Sequence, residues 1–234
     1  MMSSFSFLIF FLQKGDRIMN SFGKLNGLIK TWRDPYDIGF STTYKREIQF
    51  ELGLTVLVGC NGIGKTTLLN NIEEQCKKHN VLYIAYDNLH DGSGNNWQQF
   101  LQLQRYDLLA DQVMSSEGER IKQNLHLFAK KIGTNIRARI GIEEIWILMD
   151  SVDSGFSIDG IIELKELFDA IIDTNKNVAI YIVAAANEYE LARGEKCLDV
   201  AVGKYITFAN YEEYRDYILK TKKTKDRRYR NAKF

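Results

Sequence analysis

Gly59-Cys60-Asn61-Gly62-Ile63-Gly64-Lys65-Thr66-Thr67 is the stretch whose reading decides the fold. Gly59, Gly64, Lys65 and Thr66 satisfy the phosphate-loop pattern G-x-x-x-x-G-K-[ST]. Glycines at those places let the backbone curl so that its N–H groups point at an anion. A helix opening at Lys65 adds the positive end of its dipole. Lys65 would then reach the β- and γ-phosphates of a nucleotide, and the Thr66 hydroxyl would ligate Mg²⁺. The plainer alternative is a glycine-rich turn before a helix. Context favours the phosphate loop, because residues 54–58 form an apolar strand candidate directly before it and Leu68 and Leu69 open a helix after it.

The rest of the chain sets the bounds. Its 234 residues fit one α/β domain with a substantial core. A net charge of +1 argues against gross attraction to nucleic acid, while leaving room for a local patch. The three cysteines lack metal-ligand spacing and point to a reducing, cytoplasmic setting. Cys60 lies inside the loop, and Cys76 and Cys197 read as packing residues. No apolar run reaches the roughly 18 residues a membrane helix needs, so membrane insertion is not expected.

The two ends differ in composition. Residues 5–12 are apolar, yet no basic residue precedes them and no small-residue cleavage site follows, which argues against a signal peptide. Lys14-Gly15-Asp16-Arg17-Ile18-Met19 can be encoded as a purine-rich ribosome-binding sequence leading to an ATG codon. Met19 is therefore the expected start, and residues 1–18 an extension. At the other end Lys220, Lys222, Lys223, Lys225, Arg227, Arg228, Arg230 and Lys233 are opposed only by Asp226. This basic tail, residues 220–234, reads as a solvated helix end or a disordered tail or, alternatively, as a contact for DNA, RNA or an acidic partner.

Downstream of the loop, Ile145-Trp146-Ile147-Leu148-Met149-Asp150 has the form of a Walker B strand. Its unbroken apolar run suits a strand covered on both faces of a parallel sheet. Ligands of such sheets bind at the carboxyl ends of the strands, where Asp150 would help to hold the Mg²⁺. Between the two motifs lies Ser115-Ser116-Glu117-Gly118-Glu119-Arg120 at the start of a helix expected over 119–132. Ser116 and Glu119 also make an ordinary capping box. The position between loop and Walker B gives the stretch further weight.

With these motifs together, the chain resembles an ABC-type ATPase domain, of the branch that includes SMC-like and recombination-protein heads. The family's loop reads G-x-N-G-x-G-K-[ST]-T, and Asn61 and Thr67 complete that match. Its signature reads L-S-x-G-[EQ], matched by Ser116, Gly118 and Glu119, with Ser115 in place of leucine. The resemblance covers residues 25–208. It implies two copies clamping two ATP molecules, each copy's Ser116 and Gly118 touching the γ-phosphate held by the other. It also implies an aromatic residue stacked on adenine, for which Tyr36 is the candidate and Phe40 the reserve. The family's Q-loop glutamine is not assigned among Gln98, Gln99 and Gln102.

Two departures bear on turnover. The family places a glutamate directly after Walker B to activate the attacking water; this chain has Ser151, with Asp153 two residues further on. A hydroxyl is a poor general base at neutral pH. Where the family has a switch histidine, this chain has Asn187, which hydrogen-bonds but does not exchange protons. Tight binding and slow hydrolysis are expected.

The expected fold is a P-loop α/β domain over 19–219, with a mostly parallel sheet flanked by helices. A reduced helical lobe is expected near 88–132. The periodicities predict strands at 54–58, 81–86, 144–149 and 178–185, with short strands near 197–208. They predict helices at 65–79, 97–113, 119–132, 159–174 and 211–222. The short interval from Lys65 to Ser116 leaves no room for a transporter's docking lobe or an SMC coiled coil. The first functional expectation is therefore a soluble ATPase that dimerises around ATP to control a partner protein or nucleic acid, of a kind found in bacterial and phage genomes. The second is a non-catalytic ATP sensor or scaffold; a transporter's energy subunit is a distant third. Intact mass of the natively expressed protein tests the start site. A product beginning at Met19 is expected, and one retaining Met1 or Met2 refutes it.

Overall fold

The computed structural model describes residues 22–31, 47–87, 129–130, 132–136, 141–153 and 156–231. A short antiparallel ribbon, β1 (Leu28–Lys30) and β2 (Glu47–Gln49), precedes β3 (Gly53–Val58), the strand that enters the phosphate loop. There follow α1 (Lys65–Lys78), β4 (Leu82–Asp87), β5 (Glu144–Asp150), α2 (Ile158–Thr174) and β6 (Ala179–Ala185). A four-residue helix α3 (Tyr189–Ala192), β7 (Lys196–Asp199), β8 (Lys204–Ile206) and the long α4 (Tyr211–Asn231) complete the chain. Residues 1–18, the helix expected at 97–113 and nearly all of the expected lobe at 88–132 lie outside the described residues.

Six strands form one sheet in the order β4-β5-β6-β3-β7-β8. Every neighbouring pair is parallel except β7 and β8, which pair antiparallel at one edge. Alternation along each strand sends side chains to two opposite layers. Val56, Val58, Ile145, Ile147, Ile182 and Ala184 pack on one side with Ile161, Leu164, Phe168 and Ile171 of α2. Leu57, Trp146, Leu148, Val183 and Ala185 face the other side, against Leu68, Leu69, Ile72 and Cys76 of α1. Burying each of these large apolar side chains is worth about 1.5–3 kcal/mol, set against the entropy of ordering the chain. The result is a three-layer α/β P-loop fold, with the loop between the central strand β3 and α1.

The amphipathic spacing of α2 is as expected, with Leu167 and Ile172 half-buried at the margins of its core face. Cys60, Cys76 and Cys197 are free and buried. Burial pushes the thiols of Cys76 and Cys197 up to about 12, so neither is a reactive thiolate at neutral pH.

One helix end differs from expectation. The helix expected to stop at 222 runs on to Asn231. Its start is closed reciprocally: the N–H of Glu213 donates to Asn210 Oδ1, and Glu213 Oε2 accepts from the N–H of Ala209. Glu212 and Glu213 in the first turn complement the helix dipole. Lysine and arginine are also good helix formers, so a basic run extends the helix rather than ending it.

A buried carboxylate ties the N-terminal segment to the sheet. Glu144, only 2% exposed, accepts from the N–H groups of Leu25 (3.0 Å) and Asn26 (2.8 Å) and from Trp146 Nε1 (2.7 Å). The Trp146 indole is stacked on Tyr181, with ring centroids 4.5 Å apart. Glu144→Ala would leave the buried Trp146 indole N–H and two part-buried backbone N–H groups without an acceptor, a loss of roughly 2 kcal/mol. Urea unfolding is expected to show that drop, with Glu144→Gln losing less. A midpoint equal to wild type for the alanine variant would remove the tether from the account.

Candidate functional site

The loop's conformation requires its glycines. Gly59, Gly62 and Gly64 have φ of 142°, 74° and 111°. A Cβ at Gly59 would lie 2.9 Å from Cγ2 of Ile63, a residue buried beneath the loop. The N–H of Ile63 closes a turn on the carbonyl of Cys60 at 3.2 Å. At the start of α1 no side chain caps the helix and the first turn holds no acidic residue. Its N–H groups therefore face outward as an anion-binding terminus. Asn61, Gly62, Thr66 and Thr67 are exposed around it.

Lys65 turns back along this surface. Its Nζ donates to the carbonyl of Gly59 (2.8 Å) and to Oδ1 of Asn187 (3.1 Å). Burial holds the ammonium below its ordinary value, and the negative charges of Asp153 and Asp150 act in the opposite sense.

The sheet brings the downstream residues to the same rim. β6 pairs in parallel with both β3 and β5, with Leu57 opposite Ala185 and Met149 opposite Ala184. The loop, Asn187 and Asp150 thus leave the carboxyl ends of three adjacent strands. Asp150 is half-exposed there. Ser151, directly after Asp150, sits in the left-handed region at φ 51°, and its hydroxyl is 3.4 Å from Asp150 Oδ1. A serine in that conformation is uncommon and marks local strain.

Asp153 is buried, at 2% exposure. Its Oδ2 accepts the N–H groups of Asn187 (2.5 Å) and Glu188 (2.6 Å). Oδ1 is buried with no hydrogen-bond partner among the described residues. Burial raises the carboxyl above the usual carboxylate range, against the two N–H groups and Lys65. As placed, Asp153 anchors the segment leaving β6. Ser116, Gly118, Tyr36, Phe40, Gln98, Gln99, Gln102, Ser154 and Gly155 lie outside the described residues.

The structure adds residues that the sequence reading missed. Tyr214 donates to the carbonyl of Asn187 (2.9 Å) and Tyr217 to that of Val58 (3.4 Å). The Thr221 hydroxyl oxygen accepts the N–H of Cys60 at 3.2 Å, and Lys225 Nζ donates to the carbonyl of Asn61 at 2.6 Å. These four side chains recur at helical spacing along one face of α4. The tyrosine and threonine spacing inside a highly charged helix was the signal available in the sequence.

Chemically, this rim combines an uncapped helix N-terminus and an ammonium with a carboxylate and hydroxyls nearby. That donor set suits a polyphosphate bearing a hard cation.

No protein-family model matches the chain, and no curated protein matches it either. Among solved structures it is similar to cbiO1 from Clostridium perfringens, described as part of the ABC transporter complex cbiONQ. That likeness has a TM-score of 0.41 at 14% identity, covering 77% of this chain and 87% of that one. At that level it carries no functional weight, and the fold rests on the strand order and the loop geometry.

Asp153 also makes the chain's stability depend on pH. With its folded value raised, the folded state holds a proton more firmly than the unfolded state. Its contribution is therefore complete below the unfolded value of about 4 and declines as pH rises through the raised folded value. Asp153→Asn keeps the shape and the acceptor but carries no charge. Its urea midpoint relative to wild type is expected to climb from about pH 4 toward neutrality. Parallel midpoint curves would contradict the buried charge.

Proposed function

We propose that this chain is an ABC-type ATP-binding protein that dimerises around Mg-ATP, hydrolyses it slowly and uses the dimer to control a partner. The observation that carries this reading is the gathering of Lys65, Asn187 and Asp150 at the carboxyl ends of β3, β6 and β5. In it, the backbone N–H groups at the start of α1 and Lys65 hold the phosphates. Tyr36 stacks on adenine, and Ser116 and Gly118 of each copy close on the other copy's nucleotide.

Oxygen donors fit the magnesium ion that such a nucleotide brings. Thr66 is exposed on the first turn of α1, and Asp150 is half-exposed at the end of β5. Hydroxyl and carboxylate oxygens with water access suit a small hard cation. When bound, that ion would neutralise phosphate charge.

Slow turnover follows from the residues after Asp150. Ser151 is a poor base, and the Asp153 carboxylate is buried and occupied by the N–H groups of Asn187 and Glu188. These same features favour a second reading, a sensor or scaffold that binds ATP without turning it over. For the partner, Lys220, Lys222, Lys223 and Arg227 are exposed along α4 and suit DNA or an acidic protein surface. No helix among the described residues is long and apolar enough to cross a membrane.

Light scattering with and without Mg-ATP tests the central claim. A monomer-to-dimer shift is expected, lost in Lys65→Ala, and blocked in Ser116→Arg while ATP still binds. A constant mass with ATP bound would refute dimerisation. Turnover is expected well below about 1 s⁻¹, the low end for working enzymes. Unhydrolysed ATP after many hours of single-turnover incubation would select the sensor.

A further inference from the structure

A basic run of this kind is usually a solvated face, and among the described side chains Lys220, Lys222, Lys223 and Arg227 are exposed. Lys225 is different. It is half-buried and shares the inward face of α4 with Tyr217 and Thr221, each four residues from the next. Those three side chains bond the backbone of Val58, Cys60 and Asn61 in turn. Successive turns of the helix thus read successive positions of the phosphate loop.

The Lys225 ammonium ends at the crest of that loop. It donates to the carbonyl of Asn61 at 2.6 Å, and a Cβ built on Gly62 would lie 3.5 Å from its Nζ. Gly62 offers only backbone at that point, so the cation meets the loop itself. Among the described residues no carboxylate is paired with Lys225. Lys65 is arranged in the same manner, its ammonium on the carbonyl of Gly59. Two lysines far apart in sequence therefore terminate on neutral oxygens of one anion-binding loop.

We propose that Lys225 is a second cation of the phosphate site, supplied by the C-terminal helix, which contacts the phosphate chain of a bound nucleoside triphosphate. This rests on the nucleotide-binding reading given above. A carbonyl is a weak partner for an ammonium, and an anionic phosphate oxygen a stronger one. A flexible four-carbon stem lets the ammonium exchange one for the other without moving α4, which Thr221 and Tyr217 hold in place. A triphosphate carries more charge than Lys65 alone neutralises. A second cation would therefore favour ATP over ADP, and ADP over AMP.

Calorimetric titration of ATP, ADP and AMP into the full chain tests this, using wild type, Lys225→Met, Lys225→Arg and Lys65→Ala. Lys225→Met is expected to weaken ATP binding about ten-fold or more, and ADP less, with AMP unchanged. It should also flatten the salt dependence of ATP binding while leaving the melting temperature in place. Lys225→Arg, which keeps the charge, should restore most of the affinity. The proposal is overturned if Lys225→Met binds ATP like wild type. It is equally overturned if the variant loses all three nucleotides alike and melts earlier, for the lysine would then only brace the helix. Failure of the underlying reading looks different: wild type would bind no nucleotide, and Lys65→Ala would change nothing.

Discussion

The parallel pairing of β6 with β3 on one side and β5 on the other sets the geometry on which everything else depends. The phosphate-loop strand and the Walker B strand are not neighbours; β6 lies between them. The ladder continues past the strand, with the N–H of Ala186 donating to the carbonyl of Leu57 at 3.3 Å. Ala184, Ala185 and Ala186 are fully buried there. Their small side chains point into the two layers that cover the sheet, and larger ones would overpack a core already filled. The segment leaving β6 is thereby delivered between Lys65 and Asp150.

Asn187 is the node of that segment. Its N–H is held by Asp153, its side-chain oxygen accepts from Lys65 and its carbonyl accepts from Tyr214. A buried carboxylate, an ammonium and a phenol are thus joined through one residue. Burial disfavours the charged forms of Asp153 and Lys65, and each is partly offset by the charge of the other. Such a balance is sensitive to any anion that binds beside Lys65. Asn187 thus has a structural role independent of proton transfer.

The C-terminal helix belongs to the site as much as to the surface. Its outer face is basic and solvated, while its inner face reaches the backbone of the phosphate loop and of Asn187. A partner that grips the outer face and a nucleotide that grips the loop would act on one rigid element. If binding at one changed affinity at the other, the change would be reciprocal.

Much of this was legible in the chain itself. The loop, the strands on either side of it and the amphipathic α2 follow from local rules. An unbroken apolar run marks a doubly covered strand, and the helical repeat of Ile161, Leu164, Phe168 and Ile171 marks a buried helix face. The ribbon of β1 and β2 was not legible, because three residues are too few to show a period. Nor was the inward face of α4, since Thr221 and Lys225 meet Cys60 and Asn61 across more than 160 positions of sequence. Tyr36, Ser116 and Gly118 lie outside the described residues, so their readings stand as the sequence left them. Residue types and short-range spacing, which act within a turn or a strand, determined the phosphate loop and its flanking elements. Strand order, the burial of Glu144 and Asp153, and the seating of α4 on the loop were decided only by tertiary packing, which joins groups that no local pattern relates.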